Sequence, residues 1–108
     1  MSDLPSLKLE TLAPDRIALS GALSFGDAAQ ALKQLRAALS GRASVSVDLS
    51  GVQRADSAGL AVLLAVAGDA RRDKQALRLE AAPEGLRALA QLCEVEHLLG
   101  FAPDPART

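Results

Sequence analysis

Residues 47–67, VDLSGVQRADSAGLAVLLAVA, carry the strongest structural signal in the chain. Apolar residues alternate with polar ones over residues 45–49, which predicts a strand in the centre of a sheet. We expect a loop over residues 50–55, after this strand. The apolar run after the loop predicts a helix over residues 58–72. The order strand, loop and helix therefore places one polar turn at the mouth of a helix.

That turn contains Asp56 and Ser57, followed by the small residues Ala58 and Gly59. A helix N-terminus offers free backbone N–H groups and the positive end of the helix dipole. One interpretation is that Asp56 or Ser57 is an ordinary N-cap and nothing more. The other is that one of them caps while the other faces out. In that case Ser57 is a candidate docking contact or phosphorylation site, where a phosphate would add about −1.5 to −2 charges.

The helix after this turn has apolar residues on two sides. At about 100° per residue, four residues share the side predicted to face the sheet: Leu60, Leu63, Leu64 and Ala67. The opposite side carries Val62 and Ala65, where a surface helix usually has charge. Either the fold covers these two residues or a partner protein does. An Ala-rich helix with a strong helix former on its solvent side is the alternative.

The segment before residue 45 predicts a β-hairpin and then an amphipathic helix. Apolar and polar residues alternate over residues 7–20, interrupted by the turn residues 13–15. Ser24, with Asp27 three residues later, is a variant of the capping box, and apolar residues at helical spacing follow as far as Gly41. This pattern predicts the first helix, capped by the Ser24 side chain.

The segment after residue 72 predicts one more strand and one more helix. Leu77 and Leu79 mark the strand, and Pro83 opens a helix whose apolar face includes Leu86 and Cys93. Strands that alternate with helices after an opening hairpin predict an α/β fold. We expect a mixed sheet of four to five strands with about three helices packed against it.

Length and composition limit the kinds of function. The 108 residues suit one domain, which we place at residues 6–102, between an N-terminal segment (1–5) and a loose tail (103–108). Two Phe, no Trp, no Tyr and a net charge of −1 argue against a nucleic-acid surface. No signal peptide and no apolar run long enough to span a membrane are visible, so a cytoplasmic protein is expected.

The reactive side chains are too few for familiar catalytic or metal sites. Ser57 as a nucleophile would need a base, and the single histidine, His97, follows a helix that we expect to point elsewhere. His97 and the single cysteine, Cys93, cannot form a zinc site. No Gly-rich phosphate loop is present. The sequence therefore predicts a protein that is not an enzyme and needs no cofactor or metal.

Residues 47–64 have the pattern V-D-L-S-x-V-x-x-x-D-S-x-G-L-x-x-L-L. This pattern resembles the signature of STAS domains, which occur in anti-sigma factor antagonists, sulfate transporters and phospholipid transporters. The likeness extends over nearly the whole chain, because LSGALSF at residues 19–25 and the third helix fall where the family has its hairpin exit and its final long helix.

Two branches of the family imply different functions. In anti-sigma factor antagonists, the serine that matches Ser57 is phosphorylated by an anti-sigma kinase, and the unphosphorylated form captures that kinase. In the Mla phospholipid transporters of Gram-negative bacteria, a small STAS subunit binds the cytoplasmic ATPase of an ABC transporter, with the residue matching Ser57 in the contact. The run over residues 55–72 and the ending over residues 83–99 look more like the Mla branch.

The resemblance to the Mla branch implies a subunit that binds and stabilises or activates the ATPase without touching lipid. The complex would include a permease and a periplasmic-facing lipid-binding subunit, with this chain peripheral at the inner membrane. We expect the partner-binding residues to be Asp56, Ser57, Ala58, Gly59, Val62 and Ala65. The anti-sigma antagonist, switched by phosphorylation of Ser57, is the alternative.

Overall fold

The computed structural model describes residues 7–101, so the predicted segments 1–5 and 103–108 lie outside the described residues. The strands are β1 (Lys8–Ala13), β2 (Arg16–Leu23), β3 (Ser44–Ala55) and β4 (Ala76–Glu80). The helices are α1 (Ala28–Leu39), α2 (Ser57–Arg72), α3 (Glu84–Leu92) and α4 (Glu96–Leu99). A short 3₁₀ helix, Phe25–Asp27, precedes α1.

The four strands form one mixed sheet in the order β1-β2-β3-β4. The β1–β2 hairpin is antiparallel, whereas β3 is parallel to both of its neighbours. Each parallel connection contains a helix, as such crossovers usually do. The predicted α/β fold with an opening hairpin is confirmed, with four α-helices in the described part of the chain.

The core lies between the central strands and the helices. In β3, Val45, Val47 and Leu49 are buried, whereas Ser46 and Asp48 between them are not. From α2, Leu63 and Val66 are almost fully buried in the same cluster. This alternation confirms the strand periodicity in residues 45–49 and places α2 directly against the sheet.

The predicted loop over residues 50–55 is wrong, because β3 continues to Ala55. The β2–β3 pairing shifts register twice, between Ala18 and Ser20 and between Gly21 and Ala22. Such irregular pairing breaks the two-residue periodicity of a strand, so this part of β3 leaves no clear pattern in the sequence. Because β3 extends to Ala55, Asp56 alone separates the last residue of the strand from the first residue of α2.

Two smaller predictions about helix ends are also wrong. The Ser24 side chain makes no capping bond; its backbone carbonyl accepts from the N–H of Asp27 at 2.9 Å, which closes the 3₁₀ turn. Cys93 lies just after the end of α3 and is exposed, so it is not part of the apolar face formed by Leu86 and Ala90. At Ser24 a 3₁₀ turn replaces the expected side-chain cap, and at Cys93 the helix has already ended.

Candidate functional site

Asp56 is the N-cap of α2 and also joins that helix to the turn before α1. Its Oδ1 accepts from the backbone N–H groups of Ala58 at 3.0 Å and Gly59 at 3.1 Å. Its Oδ2 accepts from the backbone N–H of Phe25 at 3.0 Å. The bonds from Phe25 and Gly59 hold the pKa of the Asp56 carboxyl below its usual value. One carboxylate therefore fixes the relative position of two segments at the helix mouth.

Ser57 is the first residue of α2 and is exposed. The bonds to the first-turn N–H groups of Ala58 and Gly59 come from Asp56 and not from Ser57. Asp56 is thus the cap and Ser57 faces out, an arrangement that fits both interpretations of this turn. The Ser57 hydroxyl is therefore presented to solvent on an ordered helix end, next to a carboxylate. Its role as a partner contact or phosphorylation site stays a prediction.

Gly59 has a different role from the one expected of it. The residue is buried, and a Cβ built on it would lie 2.0 Å from the carbonyl oxygen of Leu23 and 2.9 Å from its carbonyl carbon. The missing side chain thus lets α2 approach the end of β2 within the same chain. Because Gly59 is buried, the prediction that it contacts a partner directly is wrong.

The expected orientation of α2 is wrong in part. Val62 is only 5% exposed, so it belongs to the core and cannot be an outer contact in this fold. On the same side of α2, two turns later, Asp69 forms an ion pair with Arg36 of α1, so α1 covers the side that carries Val62. Leu64, predicted to face the sheet, is half-buried. A helix that is apolar on two sides has no polar face to indicate its orientation, so the spacing of its residues did not predict which side faces the sheet.

The open side of α2 is a stripe of small and apolar residues, which we call the α2 outer face: Ser57, Ala61, Leu64, Ala65 and Gly68. Ser57 and Ala61 are exposed, and the other three are half-buried. Their spacing of three or four residues places them on one side of the helix. Of the expected contacts on the helix body, Ala65 lies on this face, whereas Ala58 is half-buried beside it.

Phe25 lies beside the mouth of α2, and sequence reasoning missed it. Its backbone N–H is bonded to Asp56, yet the residue is 74% exposed. Burying this residue against a partner would remove a large apolar area from water. Phe25 is one of two aromatic residues in the chain and precedes Gly26, a signal that could have identified it.

The other end of α2 carries charge in place of apolar residues. The Asp69 carboxylate accepts from Arg36 Nε at 2.7 Å and from Arg72 Nη2 at 3.1 Å. The hydrogen bond from Arg36 keeps the pKa of Asp69 below its usual value. The α2 outer face is therefore apolar near Ser57 and bounded by arginines near Arg72.

The reactive groups named in the sequence analysis do not gather at this site. Cys93 lies after α3, and His97 lies on α4, whereas Ser57 is at the start of α2. Within residues 7–101, no three of the His, Cys, Asp and Glu side chains are grouped closely enough to hold a metal ion. Nor does any helix in that range have the length and apolar character that crossing a membrane requires.

Comparison with known proteins identifies the family. The profile of the family described as "Mlab, STAS domain" matches residues 8–100. The chain belongs to the STAS domain family. Among curated proteins, no significant match to this STAS domain is found.

Solved structures confirm the fold of this STAS domain. The anti-sigma factor antagonist SpoIIAA in its unphosphorylated form matches with a TM-score of 0.67 and 14% identity, over 94% of this chain and 91% of that one. A putative anti-sigma factor antagonist from Thermotoga maritima matches with a TM-score of 0.73 and 14% identity, over 93% of this chain and 88% of that one. At this identity the likeness establishes the fold alone.

Proposed function

We propose that this STAS domain is a non-enzymatic subunit of a Mla-type phospholipid ABC transporter that maintains outer-membrane lipid asymmetry. It binds the cytoplasmic ATPase through the α2 outer face and Phe25, and stabilises or activates that ATPase. A permease and a periplasmic-facing lipid-binding subunit complete the complex, which keeps this chain at the inner membrane without lipid contacts of its own. The description of the matching family, "Mlab, STAS domain", supports this assignment.

The observation that carries the proposal is the apolar character of the exposed helix face. Ala61 lies at the centre of that face, Phe25 lies beside the helix mouth, and neither is covered by the fold. Small residues let another backbone approach closely, and a protruding aromatic ring is a frequent anchor in protein interfaces. Ser57 supplies a hydroxyl that can hydrogen-bond to the partner at the helix mouth.

The test is co-purification with the ATPase of the transporter from the same organism. Ala61→Arg adds a long charged side chain at the centre of the α2 outer face, and Ser57→Arg adds one at its end. Both should abolish co-purification and the stimulation of ATP hydrolysis. Ala37→Arg, at an exposed alanine of α1, is the matched control and should leave both unchanged. A complex that survives Ala61→Arg and Ser57→Arg would show that the ATPase does not dock on this face.

The second candidate function is an anti-sigma factor antagonist, favoured by the exposed hydroxyl of Ser57. A phosphate on Ser57 would lie beside the Asp56 carboxylate, whose charge is maintained by its bonds to backbone N–H groups. The added negative charge would oppose burial of the neighbouring Phe25 against an apolar partner. Phosphorylation would thus release a partner from this face.

The two functions are distinguished by a kinase experiment. As an antagonist, the chain incubated with an anti-sigma kinase and ATP gains one phosphate, which mass spectrometry assigns to Ser57. A Ser57→Asp variant would then lose its affinity for that kinase. As a transporter subunit, the chain gains no phosphate and binds the ATPase. A STAS domain that only scaffolds a complex would tolerate Ser57→Asp and Ser57→Arg alike.

A further inference from the structure

The C-terminal ends of α1 and α2 enclose a cleft of about 770 Å³ that has no role in the proposed contacts. Leu39 and Val66 line it, and both are buried. Three arginines and two aspartates also line it: Arg36, Arg42, Arg72, Asp69 and Asp73. The cleft thus carries an excess of positive charge, although the whole chain has a net charge of −1.

The walls of the cleft are held in place by hydrogen bonds. Gln75 Nε2 donates to the carbonyl oxygens of Leu39 and Arg42, each at 2.6 Å, which fixes the turn after α1. Asp69 holds Arg36 and Arg72 on the other wall. A site that is ordered before binding loses less conformational entropy when it is occupied.

The arginines retain the capacity to bind further carboxylates. Asp69 is shared by two guanidinium groups, Arg72 also lies 3.6 Å from Asp73, and Arg42 donates to the backbone carbonyl of Pro14, a neutral group. A guanidinium group has five N–H donors, so these contacts leave donors unused. Bidentate pairing with carboxylates is the geometry that arginine favours.

We propose that this cleft binds an acidic segment of the protein that docks on the α2 outer face. The α2 residues that line the cleft run from Val66 to Arg72, so at a rise of about 1.5 Å per residue they lie roughly 14 to 22 Å along the helix from Ser57. One partner that covers α2 therefore reaches both places. The Arg36 and Arg72 side chains are 52% and 71% exposed, so each contact is weak and several carboxylates are needed together.

A peptide fits these observations better than a membrane surface does. A bilayer is flat, whereas the guanidinium groups surround a concave cleft that also contains Asp69 and Asp73. An extended acidic peptide can direct its side chains toward the arginines one at a time. The inference rests on the proposed function for the identity of the partner, but binding of an acidic peptide is measurable without the ATPase.

The first experiment measures binding of a fluorescent hexaglutamate peptide to the full chain at low salt, with hexaglutamine as the uncharged comparison. We expect Arg72→Gln to weaken hexaglutamate binding about threefold, as for loss of one exposed ion pair. Arg78→Gln, on β4, is the matched control. The Arg78 side chain is 64% exposed and its guanidinium group lies 3.5 Å from the Glu80 carboxylate. The Arg72 guanidinium group lies at a similar distance, 3.6 Å, from the Asp73 carboxylate. Equal loss in the two variants, or equal binding of hexaglutamine, would overturn the proposal.

The second experiment separates the peptide from a lipid surface. Vesicles of phosphatidylethanolamine with phosphatidylglycerol are sedimented with the wild type and with Arg72→Gln. We expect no co-sedimentation of the wild type; co-sedimentation that Arg72→Gln abolishes would overturn the assignment to a protein segment. If the chain binds hexaglutamate but not the ATPase, the proposed function fails and the acidic-peptide site stands. If it binds the ATPase with equal affinity in both arginine variants, only the inference about the cleft fails.

Discussion

The close approach of α2 to β2 gives a quantitative prediction for Gly59→Ala. The new Cβ would lie 2.0 Å from the carbonyl oxygen of Leu23, a distance that must open by about 1 Å merely to reach 3.0 Å. The obstacle is backbone, so no rotamer change can relieve it. The first turn of α2 has to move away from β2, which disturbs the bonds from Phe25 and Gly59 to Asp56.

The net cost follows from two opposing contributions. Overpacking of this kind typically costs about 1–3 kcal/mol, and a backbone obstacle places Gly59→Ala at the upper end. Replacing glycine by alanine within a helix recovers about 1 kcal/mol. The free energy of unfolding should therefore fall by about 2 kcal/mol, and the Tm of a domain this size by about 10 °C.

Gly68→Ala is the matched control, because Gly68 lies in the same helix and a Cβ there meets nothing within 4 Å. This variant should gain up to about 1 kcal/mol. Urea unfolding followed by circular dichroism measures both variants against the wild type. A Gly59→Ala protein as stable as the wild type would refute the steric argument, and so would a Gly68→Ala protein that loses stability to the same extent.

Three further predictions concern α2 and the turn at its mouth. Phe25→Ser should weaken binding to the ATPase in a pull-down without lowering the Tm, because Phe25 is 74% exposed. Val62→Ala should lower the free energy of unfolding by roughly 1–3 kcal/mol in urea, since Val62 is in the core. The pKa values of Asp56 and Asp69 are lowered by folding, so both carboxylates stabilise the fold above their unfolded pKa of about 3.9. That stability should be lost as the pH falls through the folded values, and Asp69→Asn should flatten the decline in Tm below about pH 4.

Sequence reasoning was sufficient wherever one residue type has one dominant local effect. The alternation in residues 45–49 and the run over residues 58–72 gave the correct elements, because strand and helix have different periods. The Asp56-Ser57 pair gave a helix start within one residue, because few residues cap a helix well. The STAS pattern gave the family, and the profile match over residues 8–100 confirmed it.

Only the tertiary structure decided the orientation of α2 and the roles of the residues on it. Asp56 caps α2 and also accepts a hydrogen bond from Phe25, whereas Ser57 is exposed to solvent. The path of β3 determines which of the two side chains reaches the first-turn N–H groups. Gly59 became a packing residue because β2 lies against it, and Val62 became core because α1 packs beside it. Periodicity gives the sides of a helix but not the neighbours that cover them. Which apolar side stays open therefore depends on contacts between segments far apart in the chain.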